Sequence, residues 1–115
     1  MRASTAMVVL LLSACPDVPA DACPSDLPPS CLMPAPSWSA DVSPVISRTC
    51  SGCHGPNGLE AARPYGTWSE VEARKTDVLF QVYGCLMPLP DAGVALSAGE
   101  RAVLLHWLVC GAPNN

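Results

Sequence analysis

The chain has 115 residues, of which 50% are hydrophobic and 14% are charged, with 13 prolines, 7 cysteines and a formal net charge of −4. This length allows one small domain, whose core usually needs support from disulfides, a metal or a cofactor. Because ten acidic residues outnumber six basic ones, we expect no nucleic acid partner, since such binding depends on cations that neutralise phosphates.

The first predicted segment is an export signal peptide at residues 1–14. Met1-Arg2 lie before an apolar run from Ala6 to Leu12, which is far shorter than the roughly 20 residues of a bilayer-spanning helix. The sequence Leu12-Ser13-Ala14-Cys15 resembles the lipobox of bacterial lipoproteins. In a lipobox, small residues precede a cysteine that receives diacylglycerol before the signal is removed.

Cys15 is therefore the predicted lipidation site and the first residue of the mature chain. The alternative is ordinary cleavage near Ala14 or Ala20, which leaves Cys15 as a thiol. Each buried CH₂ group contributes about 0.8 kcal/mol to membrane binding, so two or three acyl chains anchor a protein without a membrane helix. We expect an exported protein, lipid-anchored to a bacterial membrane of the cell envelope and facing the periplasm.

Residues 15–40 form the second predicted segment, a disordered Pro-rich tether that follows the lipidated cysteine. Seven prolines fall between positions 16 and 40, and this density prevents a helix or the interior of a sheet. The segment is expected to act as an extended, semi-rigid spacer. Its two other cysteines, Cys23 and Cys31, are disulfide candidates, and a local bridge between them is the predicted pairing, although sequence does not determine connectivity.

The third predicted segment, residues 41–115, contains near its start the run Cys50-Ser51-Gly52-Cys53-His54. This C-x-x-C-H arrangement is typical of covalent c-type haem attachment. Two cysteines three positions apart lie on one side of a helical turn, so both sulfurs can bond to vinyl groups on the edge of one porphyrin. The next residue, His54, then projects toward the iron as its proximal ligand. We predict one covalent haem c on Cys50 and Cys53.

The motif has three other interpretations. A thioredoxin-like C-x-x-C belongs in a βαβ pattern, and a structural zinc site needs a second pair of ligands at similar spacing. Neither companion is found in the sequence. A chance match in a cysteine-rich exported chain is the third alternative.

Met87 is the predicted distal iron ligand. It lies in a loop between two helical patterns, next to Pro88 and Pro90, and two prolines stiffen such a loop. The competing candidates are Met33, in the tether, and His106, in the last predicted helix. Met87 also has a purely structural alternative, as a flexible side chain that fills a gap in the core.

Helices surround these ligands in the predicted all-α domain. The sequences Thr67-Trp68-Ser69-Glu70 and Ser97-Ala98-Gly99-Glu100 each have the capping-box pattern of a helix start. Apolar residues follow both at helical spacing, and Gly84 and Gly111 are placed to end the two helices. Lys75 falls within the first apolar face, so either its stem reaches out to solvent or the helix breaks near residues 76–77.

From about Pro44 to Asn115 the chain resembles a small class I cytochrome c. The resemblance rests on Cys50-Ser51-Gly52-Cys53-His54 near the start, on Met87-Pro88 in a late loop, and on the terminal helical pattern that includes Leu104-Leu105-His106-Trp107-Leu108. It implies an all-helical fold around haem, iron ligation by a histidine and a methionine, and a role as an electron carrier. It also implies that Trp107 packs near the first helix and that the Pro64 carbonyl orients the proximal imidazole.

Two features depart from that family. Only 32 residues separate His54 from Met87, which leaves little chain to cover the haem edge. The other is the pair of disulfide candidates Cys85 and Cys110, whose bridge is expected to join the Met87 loop to the end of the last helix. Such a bridge stabilises by about 3 kcal/mol in the chain-entropy model, and its alternative is a pair of buried free thiols.

The sequence therefore favours a membrane-anchored monohaem cytochrome c that transfers single electrons between redox protein partners and is not an enzyme. A saturated iron has no vacant position for a substrate. Two alternatives stay open. One is a haem enzyme or gas sensor in which Met87 does not bind, and the other is a non-haem lipoprotein held together by disulfides.

Overall fold

The structure, a computed structural model, describes residues 22–115. The predicted signal peptide at residues 1–14 and the lipidation site Cys15 lie outside the described residues. Within 22–115 the regular secondary structure is helical and contains no strand, which confirms the predicted all-α class. None of the helices in this range is long and apolar enough to cross a membrane.

Six helical segments make up the domain. A π-helical turn at Trp38–Val42 leads directly into the first α-helix. The α-helices are α1 (Ser43–Thr49), α2 (Ser51–His54), α3 (Trp68–Glu72), α4 (Lys75–Tyr83) and α5 (Ala98–Val109).

Both predicted capping boxes are present. The Thr67 hydroxyl accepts the Glu70 N–H, and the Glu70 carboxylate accepts the Thr67 N–H. Ser97 and Glu100 exchange the same two bonds at the start of α5. Each box satisfies backbone donors that otherwise lack a partner in the first helical turn, so two short polar patterns fix where α3 and α5 begin.

The ends of α4 and α5 share the same C-capping motif. At the end of α4, the N–H of Leu86 donates to the Gln81 carbonyl at 2.8 Å and the N–H of Cys85 donates to the Val82 carbonyl at 3.1 Å. This is the Schellman arrangement, which needs a left-handed residue just beyond the helix. Cys85 fills that position with a φ of 55°, whereas at α5 the position is taken by Gly111 with a φ of 86°. Gly84, the predicted end of the first helical run, is the α4 C-cap.

The core is centred on α5, whose buried face packs against α4 and the π-helical turn. Trp107 is fully buried, and its ring lies 5.4 Å from that of Trp38 at the start of the first helical segment. This is the contact expected for Trp107. Burial of large aromatic and aliphatic side chains supplies most of the stabilisation available to so small a domain. The core cluster comprises Val42, Ile46, Tyr65, Val71, Val78, Val82, Leu104, Leu105, Trp107, Leu108 and Ala112.

The apolar run after Thr67 is divided between two helices. The break falls at residues 73–74, between α3 and α4, so of the two alternatives for Lys75 the structure has the helix break, about three positions before residues 76–77. Lys75 begins α4 and its ammonium donates to the Glu72 carboxylate at 2.7 Å across the break. The cation therefore lies at a helix junction and does not interrupt a continuous apolar face.

The predicted disulfide pairings are wrong. Cys23 is bonded to Cys85 and Cys31 to Cys110, with sequence separations of 62 and 79 residues. The local Cys23–Cys31 bridge and the Cys85–Cys110 bridge do not form, because the Pro-rich segment lies across the ends of α4 and α5 and brings each of its cysteines to a different helix end. The expectation of a free spacer is consequently wrong for residues 23–31, which are joined to the helical domain at both ends.

Candidate functional site

The Cys50–His54 segment forms one tight helical turn. The N–H groups of Cys53 and His54 both donate to the Cys50 carbonyl, at 3.2 and 2.9 Å. This turn places the two sulfurs on one side of the backbone, as the spacing predicts. Within residues 22–115, Cys50 and Cys53 are the cysteines that carry no disulfide. They are therefore available for a covalent bond to another group.

The His54 ring is fixed by a backbone carbonyl. Its Nδ1 lies 2.8 Å from the carbonyl oxygen of Arg63, and because a carbonyl only accepts, Nδ1 carries the proton. In the neutral imidazole this leaves the lone pair on Nε2, and a carbonyl on the other ring nitrogen is the usual partner of a metal-ligating histidine. The expectation that the Pro64 carbonyl would do this is wrong by one residue. The ring also packs on Tyr65, with centroids 4.5 Å apart.

The loop after the motif packs tightly on the backbone of the motif itself. The Glu60 N–H donates to the Cys53 carbonyl at 2.9 Å. A Cβ atom at Gly58 would lie 2.0 Å from that carbonyl oxygen, and one at Gly55 would lie 2.4 Å from the Ser51 oxygen. Only glycine permits such close approach of two backbone segments. These two glycines thus allow the loop to return and present the Arg63 carbonyl to His54.

A largely apolar cleft with a cavity volume of about 180 Å³ lies beside the motif and is open to solvent at its mouth. Pockets for organic ligands and cofactors are likewise lined mainly by hydrophobic side chains. Its walls come from the motif turn with the preceding helix, the loop after the motif, the α3–α4 pair, the loop after α4, and α5. Its lining includes Ile46, Thr49, Cys50, Cys53, His54, Tyr65, Val71, Val78, Val82, Met87, Leu89, Leu96 and Leu104.

The four residues predicted from the sequence to hold the cofactor all line this cleft. Cys50, Cys53 and His54 come from the motif turn, and Met87 comes from the loop after α4. The two competing ligand candidates do not line it. Met33 is 80% exposed, and the His106 Nε2 lies 2.6 Å from the Leu32 carbonyl in the Pro-rich segment. The fold therefore brings together one histidine and one methionine from distant parts of the chain.

The environment of Cys50 does not favour a reactive dithiol. Burial raises the pKa of the Cys50 thiol above its ordinary value of 9.0, and the hydrogen bond with Thr49 acts in the opposite direction. The C-x-x-C pairs that exchange disulfides have a lowered pKa, because the thiolate is the attacking species. The half-buried Cys50 is accordingly poorly suited to serve as a free nucleophile.

Charged and exposed residues surround the mouth of the cleft. Arg63 pairs with Glu60 through an Nη2–Oε2 contact of 2.6 Å, and this pairing raises the pKa of the Arg63 guanidinium. Leu59 beside this pair is 97% exposed although it lines the cleft. One edge of the cleft is therefore open to solvent, in line with the short chain between His54 and Met87.

A second group of potential metal ligands lies apart from the cleft. One ligand atom each of Cys31, His106 and Cys110 fall within 4.8 Å of one another. Both sulfurs are joined to each other in the Cys31–Cys110 disulfide, and thiolates, not disulfide sulfurs, bind metals. As it stands, the group offers only one imidazole.

The residues around the cleft fit a covalently attached haem. Two unbridged cysteines line it at the attachment spacing, a histidine has its Nδ1 held by a backbone carbonyl, and a thioether lies on the same cleft. A porphyrin is a large apolar ring, and the walls are mainly aliphatic. His54 and Met87 are the residues that would hold the iron.

Arg101 joins distant parts of the chain, and the sequence analysis did not identify it. It is 8% exposed and donates to both oxygens of Asp26, each at 2.8 Å. The sequence feature that could have identified it is its position three and four residues before Leu104 and Leu105 on α5. An arginine on an apolar face indicates a buried cation that needs partners.

Comparisons with models of protein families, with curated proteins and with solved structures found no match to this chain.

Proposed function

We propose that this protein is a monohaem c-type cytochrome that transfers single electrons between redox proteins and is not an enzyme. The observation that carries this proposal is the convergence of Cys50, Cys53, His54 and Met87 on one apolar cleft. Three of these residues are adjacent in sequence, but Met87 reaches the cleft only through the fold. A chance C-x-x-C-H match has no reason to share an apolar cleft with a thioether.

Each of the four proposed haem-binding residues has a separate part in this function. Cys50 and Cys53 would hold the ring through thioether bonds, and His54, whose ring is held by the Arg63 carbonyl, would bind the iron. Met87 would be the second iron ligand, so that no position would be left for a substrate. When bound, the haem supplies one-electron oxidation and reduction at its iron. The aliphatic walls exclude water from the ligands, and the open edge beside Leu59 is where a partner protein would approach.

Export and anchoring belong to the same proposal. Thioether attachment in the proposed protein takes place after export, and two disulfides between described residues are typical of an oxidising compartment. We propose that Cys15 carries the lipid that holds the domain at a bacterial membrane facing the periplasm. Its partners are then redox proteins at the same surface.

The test is to express the full chain in a bacterium with a working cytochrome c maturation system. We expect the intact mass of the mature protein to include one haem, and we expect the absorption spectrum to change reversibly between the oxidised and reduced protein. Acid-acetone extraction should leave the pigment on the chain. The control is the Cys50→Ser/Cys53→Ser variant, which should accumulate without covalent haem. A wild-type chain that never carries porphyrin would contradict the proposal.

A further inference from the structure

The Pro-rich residues 23–31, here called the strap, are fastened to the domain at both ends. Cys23 bonds to Cys85, directly after the C-cap of α4, and Cys31 bonds to Cys110, the C-cap of α5. The strap therefore spans the ends of the two helices that pack against each other in the core. A proline-rich chain suits this task, because it stays extended without hydrogen bonds of its own.

Arg101 adds a polar clamp between the strap and α4. Its guanidinium donates to the Asp26 carboxylate in the strap through two bonds of 2.8 Å. It also donates to the carbonyls of Val82 and Tyr83 in the last turn of α4, the latter at 3.0 Å. These carbonyls lie at the C-terminal end of a helix, where a cation is favoured. One buried cation thus holds the strap and the end of α4 together.

Met87 lies four residues after Tyr83 of this clamp and two residues after Cys85. The N–H groups of Leu86 and Met87 both donate to the Gln81 carbonyl, at 2.8 and 3.1 Å, so the chain stays attached to α4 up to Met87. Cys85 holds the left-handed conformation that turns the chain at this point. Because its side chain is bonded to the strap, the direction in which the loop leaves α4 depends on the Cys23–Cys85 bridge.

We propose that the strap is a positioning device for Met87 and that the Cys23–Cys85 disulfide is a redox-sensitive latch for it. An external dithiol breaks the Cys23–Cys85 sulfur bond, both sulfurs become thiols with the two protons of the dithiol, and the dithiol is oxidised to its own disulfide. Met87 then leaves the cleft more readily and the distal side opens to small molecules. Both cysteines are exposed, so a dithiol can reach them. This inference rests on the proposed function.

The second bridge provides the matched control, since it joins the strap to Cys110 at the end of α5 and not to the start of the Met87 loop. We compare wild type, Cys23→Ser/Cys85→Ser and Cys31→Ser/Cys110→Ser, all with the iron reduced. One readout is the rate of carbon monoxide binding. The other is hydrogen exchange at the Leu86 and Met87 amides, relative to the Leu104 amide in the core. The ratio removes any general loss of stability, because global unfolding exposes all amides equally.

We expect carbon monoxide binding and the exchange ratio each to rise roughly tenfold or more in Cys23→Ser/Cys85→Ser and to stay near wild type in the control. Wild type treated with dithiothreitol should behave as the first variant. Equal changes in both variants, or no change in either, would overturn the inference. Should Cys23→Ser/Cys85→Ser fail to fold, Asp26→Asn weakens the same clamp with both bridges intact, and an unchanged exchange ratio there would also overturn it.

The two proposals fail in different ways. If the wild-type chain carries no haem, the proposed function fails, and the exchange ratio still decides whether the strap holds the Met87 loop. If haem is attached and Met87 is bound, but the exchange ratio and carbon monoxide binding ignore the Cys23–Cys85 bridge, only the latch is wrong.

Discussion

Two glycines near the cysteine motif differ sharply in their surroundings. A Cβ at Gly58 would lie 2.0 Å from the Cys53 carbonyl oxygen, whereas a Cβ at Gly52 meets no atom within 4 Å. We expect Gly58→Ala to lower the free energy of unfolding by about 1–3 kcal/mol, the usual cost of overpacking. Gly52→Ala, within α2, should be neutral or stabilising by up to about 1 kcal/mol in the chain without haem.

Urea unfolding of the Cys50→Ser/Cys53→Ser background measures both changes without a contribution from cofactor binding. Similar stability for the two alanine variants would show that the loop after the motif does not pack on the Cys53 carbonyl. The comparison therefore tests the contact that lets the loop present the Arg63 carbonyl to His54.

Met87 can be tested against a second methionine of the same chain. In Met87→Ala the haem should stay attached, because Cys50 and Cys53 are unchanged, while the reduction potential falls by on the order of 0.1 V. Axial ligands set haem potentials over roughly 0.8 V, and methionine ligation raises them. The control is Met33→Ala, since Met33 is 80% exposed and does not line the cleft.

Potentiometry and carbon monoxide binding to the reduced protein check this prediction. Met87→Ala should bind the gas readily, and Met33→Ala should behave as wild type. If wild type itself binds carbon monoxide readily and Met87→Ala has an unchanged potential, Met87 is not the ligand and the protein is better described as a haem enzyme or gas sensor with an open distal site.

Among the helices, the two capping boxes share one pattern but differ in charge environment. Hydrogen bonds from the Ser97 N–H and then from Arg48 hold the pKa of Glu100 below its ordinary value of 4.5. Bonds from the Gly66 and Thr67 N–H groups lower the pKa of Glu70. A lowered pKa in the folded state stabilises above pH 4.5, and this stabilisation is lost as the pH falls through the folded-state pKa.

We expect Glu100→Gln and Glu70→Gln both to lower Tm at pH 7, with a deficit that shrinks below pH 4.5. The Glu100→Gln deficit should also shrink with added salt, because the Arg48 guanidinium that Glu100 accepts from at 2.9 Å is half exposed. The Glu70→Gln deficit should depend less on salt. Thermal melts between pH 3 and pH 7 at two salt concentrations test this, and pH-independent deficits would contradict it.

The features that sequence predicted well are those set by residues close together in the chain. Both capping boxes, the helical class and the C-x-x-C-H turn depend on neighbours within four positions. The sequence left open whether the helix breaks near Lys75, because apolar periodicity continues across residues 73–74. The resemblance indicated the Pro64 carbonyl as the partner of the His54 ring, whereas the structure has the Arg63 carbonyl in that place. A one-residue difference in how a loop returns is not visible in the sequence.

The disulfide pairing belongs to the scale of the whole molecule, and sequence could not determine it. Four cysteines allow three connectivities, and short loops favoured the local pairing. The observed pairs depend on where the strap crosses the helix ends, which in turn depends on the contact between Arg101 and Asp26. These two residues are separated by 75 positions. A buried arginine whose partners are distant in the chain leaves only a weak local pattern in the sequence.

The two disulfides should also supply a large part of the free energy of unfolding of the whole molecule, because the domain is small. The loops they close span 62 and 79 residues, for which the chain-entropy model gives about 4 kcal/mol each. That is a large share of the roughly 5–15 kcal/mol by which a domain is stable. With one bridge intact, the other closes a shorter path through it, so the first bridge removed should cost somewhat less than the second.

Urea unfolding of the haem-free background, with either bridge or both replaced by serine pairs, measures these terms. We expect each single removal to lower the free energy of unfolding by about 3–4 kcal/mol, and removal of both to leave little cooperative unfolding. The core on α5 would then have to hold the domain by burial alone, which is marginal at this length. If loss of both bridges costs less than about 1 kcal/mol, the strap does not constrain the unfolded chain, and its contacts with Arg101 are a consequence of folding that contributes little to it.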